Sequence, residues 1–157
     1  MRNFLIFIFL SVLLSACGPN YLYEETTPLP KAGWTYADTL DFTLSIEDTL
    51  ALYNLYLEIE HATTYSYQNL YAQIYTRFPS GERKGQTISL ELADKTGAWQ
   101  GDCGKENCRF LAPIQMKAFF NEVGEYVFTL EQYMRESPVE GVQAVGMKLE
   151  VTGEKRP

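Results

Sequence analysis

Apolar and polar residues alternate with a period of two along much of this chain, and no other feature restricts its fold as strongly. In TLDFTLSIE, residues 39–47, every second side chain is apolar, and residues 53–60 and 145–151 repeat the pattern. Successive side chains of a β-strand point to opposite faces, so the alternation indicates strands with one buried and one solvated face. No stretch of ten or more residues after Thr39 keeps a helical period. The sequence therefore predicts an all-β fold.

Further alternating runs and the turns between them set the number of strands. Pro79-Ser80-Gly81-Glu82 and Asp94-Lys95-Thr96-Gly97 are typical turn sequences, in which glycine accepts a positive φ. Residues 114–124, IQMKAFFNEVG, have a partly helical pattern, but we interpret them as a strand or an irregular segment. The other predicted strands cover residues 70–78, 87–92, 98–100, 109–114, 126–134 and 142–151. About 7–9 such strands predict an antiparallel β-sandwich, immunoglobulin-like or jelly-roll-like.

The first sixteen residues are organised like a secretory leader. Met1-Arg2-Asn3 is short and basic, and the eleven residues of Phe4–Leu14 are apolar except for one serine. This apolar segment is too short for a comfortable membrane span, which needs about 20 residues. A basic start followed by a short apolar segment is typical of a signal peptide. We predict that residues 1–16 are a lipoprotein signal peptide.

Leu14-Ser15-Ala16-Cys17 resembles a bacterial lipobox, at which the cysteine thiol receives diacylglycerol and the leader is cut just before it. Cys17 is therefore the predicted lipidation site, and two or more acyl chains make a stable anchor. An ordinary secretory signal with a stray cysteine is the alternative. Gly18 stands where an aspartate would favour the inner membrane, so we expect an outer-membrane anchor with the protein facing the periplasm.

Two segments come after the predicted cleavage site. Residues 17–32 contain three prolines and show no period, so we interpret them as a lipidated N-terminus and a tether. Tyr21-Leu22-Tyr23 is more apolar than a tether requires, and part of this segment could add an edge strand. Residues 33–157 form the predicted β-sandwich domain. The 141 residues left after cleavage suffice for a core without a metal or a disulfide framework.

The charge balance restricts the partners. The formal net charge is −7, and it becomes −8 when Arg2 leaves with the leader. Such acidity argues against nucleic acid or anionic lipid bound through a basic patch. We therefore expect no nucleic-acid partner.

Cys103 and Cys108 lie in GDCGKENCRF. The predicted export leads to an oxidising compartment, so we predict a disulfide between them. Closing this short loop would stabilise the fold by roughly 2 kcal/mol. Free thiols and a redox or metal pair are the alternatives. Because no second cysteine pair and no nearby histidine accompany them, the sequence predicts no metal site and no cofactor.

Candidate catalytic residues are few. His61, the single histidine, follows a predicted strand, so we interpret it as a surface-turn residue, and no G-x-S-x-G accompanies it. Glu58 and Glu60 lie two apart on one strand, which is the pattern of a solvated face. We predict no enzyme and no small-molecule substrate. Aromatic residues could form a sugar-binding platform, although buried or cross-strand packing is more usual. The candidates are Trp34, Trp99, Tyr65, Tyr67, Tyr71 and Tyr75.

Three segments together resemble one family. They are YNLYLEIEHATTYSYQNLYAQIYTRFPSG (Tyr53–Gly81), LADKTGAWQG (Leu92–Gly101) and EQYMRESPVEGVQAVGMKLE (Glu131–Glu150). In this order they resemble the gliding-motility lipoprotein H family, GldH, of Bacteroidetes. The resemblance implies a lipid-anchored accessory protein of the gliding apparatus, which is tied to type IX secretion. The resemblance assigns one site residue, the lipidated Cys17, and no catalytic residue. The other two cysteines are not part of the family pattern.

We therefore expect a non-enzymatic lipoprotein of the cell envelope. Its expected partners are the membrane, reached through the N-terminal lipid, and other envelope proteins of gliding or secretion. A surface glycan-binding lipoprotein with an aromatic platform is the alternative function. A hydrolase that uses carboxylates is a further alternative, and it would need two acids placed across a cleft.

Overall fold

The computed structural model describes residues 18–157 as nine β-strands. The predicted signal peptide and Cys17 lie outside the described residues. Within residues 18–157 no helix is long and apolar enough to cross a bilayer. The strands are β1 (Tyr21–Pro28), β2 (Leu40–Ile46), β3 (Ala51–Ala62), β4 (Asn69–Arg77), β5 (Arg83–Glu91), β6 (Asp102–Cys103), β7 (Asn107–Ala118), β8 (Gly124–Gln132) and β9 (Val142–Lys155).

Two antiparallel sheets form a sandwich. The five-stranded sheet has the order β1-β9-β3-β7-β6, and the four-stranded sheet has the order β2-β8-β4-β5. Apart from the two-residue β6, the pairing is nested, because β1 pairs with β9, β2 with β8, β3 with β7 and β4 with β5. Successive nested pairs alternate between the sheets, and this arrangement is that of a jelly roll. The all-β sandwich prediction is confirmed, and the topology selects the jelly roll over the immunoglobulin type.

The core is built from the predicted inward faces of the strands. Each Leu or Ile removed from water contributes about 1.5–3 kcal/mol. On β2 every second residue is buried, and the same alternation runs along most of β3, which confirms the pattern seen in the sequence. Core residues with at most 2% exposure include Phe42, Leu44, Ile46, Tyr53, Leu57, Ile59, Leu70, Ile74, Leu92, Tyr126, Leu130, Val145, Met147 and Leu149.

The predicted turns are confirmed. Between β4 and β5, Gly81 has a φ of 87° and its amide donates to the Phe78 carbonyl at 2.9 Å. After β5, Asp94 Oδ1 accepts the amide of Thr96 at 2.8 Å and that of Ala98 at 3.0 Å. The segment 114–124 continues β7 to Ala118 and is irregular beyond it, as interpreted from the sequence.

The expected boundary between tether and domain differs from the structure. The predicted tether, residues 17–32, contains β1, which pairs with β9 from Tyr21 to Pro28. Its prolines suggested an extended tether, but Pro28 only ends a strand at the edge of the sheet, where proline is tolerated. The folded part therefore begins near Asn20, whose carbonyl accepts the amide of Val151 at 2.9 Å, and not at residue 33.

The sandwich has two ends, which we call proximal and distal. The proximal end is the one at which β1 begins, and it carries the connections 47–50, 78–82 and 119–123 and the C-terminal residues. The distal end is the opposite one, at which β1 ends, and it carries the connections 29–39, 63–68, 92–101 and 133–141.

Candidate functional site

The predicted lipidation site is close to the folded part of the chain. Cys17 itself lies outside the described residues, and only Gly18, Pro19 and Asn20 separate it from β1. A lipid on Cys17 would therefore be attached at the proximal end of the sandwich.

Cys103 and Cys108 face each other as a register pair between β6 and β7, at the distal end. Their Cα atoms are 4.0 Å apart and the structure joins their sulfur atoms. The Gly104 amide donates to the Asn107 carbonyl at 2.8 Å and closes the turn between them. The disulfide in the cell stays a prediction. Beside the pair is a depression of about 360 Å³, which Glu60 and Arg109 also line.

The described residues offer little for metal chemistry. No group of three or more His, Cys, Asp or Glu side chains within residues 18–157 is placed to hold a metal ion. Glu60, which lines the depression, is already bound to Arg109 at 2.6 Å.

A larger concavity lies at the distal end, on the outer face of the four-stranded sheet. It measures about 620 Å³, and we call it the tyrosine groove. The Tyr133 amide donates to the Tyr71 carbonyl at 2.8 Å and the Tyr71 amide to Met134 Sδ at 3.3 Å, so the chain after β8 is held against β4. The groove is lined by Tyr67, Asn69, Tyr71, Thr87, Tyr133, Met134, Arg135 and Glu136.

The tyrosine groove combines exposed rings with a charged rim. Tyr71 and Tyr133 are exposed, while the Tyr67 hydroxyl donates to Glu136 Oε1 at 2.5 Å. This hydrogen bond to a carboxylate raises the pKa of Tyr67, because the ionised phenol would lose the donor and face a like charge. Flat rings beside an arginine and a carboxylate suit contact with another polar macromolecule.

The aromatic residues predicted for a sugar platform do not share one surface. Trp34 and Tyr65 are buried in the core. Trp99 is partly buried and packs on His61 with ring centroids 4.6 Å apart. Tyr75 is covered by the Arg83 guanidinium, 3.7 Å from its ring centroid.

Only Tyr67 and Tyr71 of the predicted platform line the groove, and Tyr133 joins them. Sequence reasoning missed Tyr133 because it placed this residue inside a strand, whereas β8 ends at Gln132. A tyrosine directly after an alternating run is a weak sequence signal for a binding site. The groove forms only in the folded protein, where the chain after β8 packs against β4.

The interpretation of His61 as a surface-turn residue is wrong. His61 lies within β3 with no exposed surface, between Trp99 and Tyr65. Its Nδ1 is 2.9 Å from the Ala62 carbonyl, so Nδ1 carries the proton and donates it, and Nε2 is buried without a partner among residues 18–157. Burial lowers the pKa of His61, with the bond to Ala62 opposing the shift. The residue is therefore a neutral core histidine.

The interpretation of Glu58 as part of a solvated face is also wrong. Its side chain is 8% exposed, and Lys148 Nζ lies 2.9 Å from its carboxylate. Lys148 also binds Glu24 at 2.6 Å, and Arg109 lies 3.9 Å from Glu58. Burial acts to lower the pKa of Lys148, but the hydrogen bonds to Glu24 and Glu58 outweigh it and raise that pKa. The negative charge of Glu58 is therefore compensated by the neighbouring Lys148 and Arg109. Its carboxylate lies on the face of a sheet and does not oppose a second acid across a cleft.

Comparison with known proteins agrees with the extent of the fold. The family described as GldH lipoprotein matches residues 21–149, from the first residue of β1 into β9. The gliding motility lipoprotein GldH homolog of Christiangramia forsetii is 26% identical, covering 92% of this chain and 93% of the relative. The gliding motility lipoprotein GldH of Flavobacterium johnsoniae is 24% identical, with 96% and 97% covered.

Among solved structures, a chain of the empty head of turnip yellow mosaic virus is 9% identical with a TM-score of 0.30, covering 92% of this chain and 86% of that chain. The family match covers residues 21–149 in one continuous span. The chain belongs to the GldH lipoprotein family.

Proposed function

We propose that the chain is a non-enzymatic, lipid-anchored protein of the cell envelope. It serves as an accessory component of the gliding-motility and type IX secretion apparatus and acts through protein contacts. The names of the two relatives support the link to gliding, and the lipobox at Cys17 supports the anchor. Gly18 favours the outer membrane, with the sandwich facing the periplasm.

The observation that carries this proposal is the position of the tyrosine groove. It lies at the distal end, away from the predicted lipid, where a membrane-anchored sandwich presents it to other proteins. Tyrosine and arginine are enriched at protein interfaces because they combine a large contact area with a polar tip. Tyr71, Tyr133 and Arg135 supply these residue types on one concave surface.

Crosslinking in intact cells and pull-down of the extracted lipoprotein test the proposal. We expect the Tyr71→Ala/Tyr133→Ala double variant to bind its envelope partners at least about thirtyfold more weakly, because one interface hot spot contributes about 2 kcal/mol or more. Met116→Ala removes an exposed side chain at the proximal end and is the matched control, which should retain them. Equal recovery from both variants contradicts the assignment of the groove.

Two further results would count against the function itself. A strain that lacks the gene but spreads and secretes normally would exclude the accessory role. Purified lipoprotein that turns over a substrate would exclude a non-enzymatic role.

Glycan binding is the second candidate, and the exposed rings of Tyr71 and Tyr133 favour it. Electrophoresis through gels that contain common polysaccharides separates the two functions. Retardation of the wild type, lost in the Tyr71→Ala/Tyr133→Ala variant, would favour glycan binding. Trp99→Phe should have no effect on migration, because Trp99 packs on His61 and not in the groove.

A further inference from the structure

Among residues 18–157, the exposed large apolar side chains are divided by type between the two ends of the sandwich. The three exposed tyrosines, Tyr36, Tyr71 and Tyr133, lie at the distal end. The exposed aliphatic, methionine and phenylalanine side chains lie at the proximal end. They are Leu22, Leu50, Met116, Phe119 and Val123.

Several of these residues belong to different connections that the topology brings together. Leu50 precedes β3, and Phe119 and Val123 lie between β7 and β8. The Arg156 amide donates to the Leu50 carbonyl at 2.8 Å, and the Arg156 guanidinium lies 5.1 Å from the Phe119 ring centroid. Arg156 therefore contacts both Leu50 and Phe119 at this end. Single exposed apolar residues are ordinary, whereas a group of them at one end marks a contact surface.

The proximal end carries charges of both signs, some of which are joined in ion pairs. Lys117 binds Glu154 at 2.9 Å, Lys84 lies 3.3 Å from Glu82, and Lys155 lies 3.7 Å from Asp48. Glu47 and Glu122, and likewise Arg77, Arg83 and Arg156, also lie at this end and make no ion pair among residues 18–157, so the unpaired charges are of both signs. The proximal end is thus no basic patch, and its apolar tips suit the interface of an uncharged or zwitterionic bilayer.

The length of the tether decides what covers this end. Only Gly18, Pro19 and Asn20 separate Cys17 from β1, and three extended residues span about 10 Å at most. If Cys17 carries the anchor, the proximal end cannot move farther than this from the bilayer surface. A protein partner of ordinary size would not fit into such a gap.

We propose that the proximal end lies directly on the bilayer, with Leu50, Phe119 and Val123 in the headgroup region. The lipid then fixes the orientation of the sandwich as well as its location, and it points the tyrosine groove away from the membrane. This inference rests on the proposed function in one respect, the acylation of Cys17.

Quenching of single added tryptophans tests the contact. The mature lipoprotein is reconstituted into phosphatidylcholine vesicles with and without brominated acyl chains. Phe119→Trp and Val123→Trp report on the proximal end, at side chains that are 49% and 61% exposed. Tyr133→Trp, at a side chain that is 60% exposed, is the matched control at the distal end. The wild type supplies the background of Trp34 and Trp99.

We expect Phe119→Trp and Val123→Trp to lose about half of their added fluorescence in brominated vesicles, since interfacial contacts reach the acyl boundary. Tyr133→Trp should lose none. Flotation and palmitate labelling of each variant report separately on the anchor.

Two outcomes overturn the inference in distinguishable ways. If the variants are acylated and float, but Phe119→Trp and Val123→Trp are no more quenched than Tyr133→Trp, the contact is refuted and the anchor stands. If crosslinking in intact cells then joins the proximal end to a protein, that protein covers this end. If the chain is not acylated and does not float, both the anchor of the proposed function and this inference fail.

Discussion

At the scale of single residues, Glu58 and Lys148 form an ion pair on the outer face of the five-stranded sheet. Glu24 of β1, Lys148 of β9, Glu58 of β3 and Arg109 of β7 supply one charge from each of four neighbouring strands. Withdrawing these charges from water is costly, so the pairs add little net stability. Alternating signs across four strands do disfavour other strand orders and registers, because a shift would bring like charges together.

The first prediction concerns this pair. Lys148→Met should lower the free energy of unfolding by about 2–3 kcal/mol, because it leaves the Glu58 carboxylate buried with only Arg109 nearby. Urea denaturation measures the change. Lys84→Met breaks an exposed pair, with side chains 66% and 59% exposed, and should cost about 0.5 kcal/mol or less. Equal losses in the two variants would refute the role of burial.

The second prediction is a pH dependence that His61 creates. The unfolded histidine takes up a proton near its ordinary pKa of 6.5, whereas burial lowers the pKa of the folded one. Protons therefore favour the unfolded chain, and the stability present above pH 6.5 is lost as pH falls below it. The slope contributed is up to about 1.4 kcal/mol per pH unit.

Urea denaturation at pH 7.5, 6.0 and 5.0 measures this slope in the wild type and in His61→Phe. The variant keeps an aromatic ring between Trp99 and Tyr65 but cannot titrate, so its stability should fall less between pH 6.5 and 5. Both proteins contain the same carboxylates, so the contribution of these groups to the pH dependence of stability cancels in the comparison. Parallel pH profiles would contradict the prediction.

At the scale of elements, β1 is an edge strand, which the apolar Tyr21-Leu22-Tyr23 left open, although the prolines around it are typical of a tether. The third prediction compares a chain that begins at Gly33 with one that begins at Asn20. The free energy of unfolding of the shorter chain should be lower by at least about 3 kcal/mol. The shorter chain loses the hydrogen bonds between β1 and β9 and the packing of Tyr23 and Leu29 against the core. It also exposes the edge of β9, which favours aggregation. Thermal unfolding and light scattering compare the two chains, and equal stability would restore the boundary at residue 33.

The β6–β7 hairpin carries the fourth prediction. Thiol titration of the unfolded mature protein should find neither Cys103 nor Cys108 free without a reductant. Replacing both by serine should lower the free energy of unfolding by about 2 kcal/mol, since the closed loop is short. The same double variant under reducing conditions is the control and should match the reduced wild type. Two free thiols in protein from the periplasm would refute the disulfide.

At the scale of the whole molecule, the nested topology gives the sandwich two different ends. β1 begins at the proximal end with the apolar tips, and the tyrosine groove lies at the distal end. Such a polarity suits a protein held at one end, as the proposed lipid on Cys17 would hold it.

The fifth prediction tests the anchor in the full-length chain. Cys17→Ser should abolish incorporation of labelled palmitate, because the sulfur proposed to carry the lipid is gone. Cys103→Ser is the control and should keep its label. Label that persists in Cys17→Ser would place the lipid elsewhere.

Several features were predictable from the sequence because they are local. Leu40 to Ile46 alternate within one strand, so the strand and its inward face follow from neighbouring residues alone. Turn chemistry at Gly81 and Asp94 is equally local. Burial on the outer face was not predictable, because the exposure of Glu58 depends on Lys148, 90 residues away in the chain. His61 and Tyr133 were misjudged for the same reason.

The sequence alone determined that this chain is a β-sandwich and which way its alternating strands face, and it predicts a lipidation signal at Cys17. Each of these depends on residues that are close together in the chain. The tertiary structure decided the jelly-roll order, the inclusion of β1, the burial of Glu58 and His61, and the division between an apolar proximal end and a tyrosine-lined distal end. Strand pairing joins segments that are distant in sequence. The alternation within one strand shows which of its faces is buried, but it does not determine which other strand it pairs with.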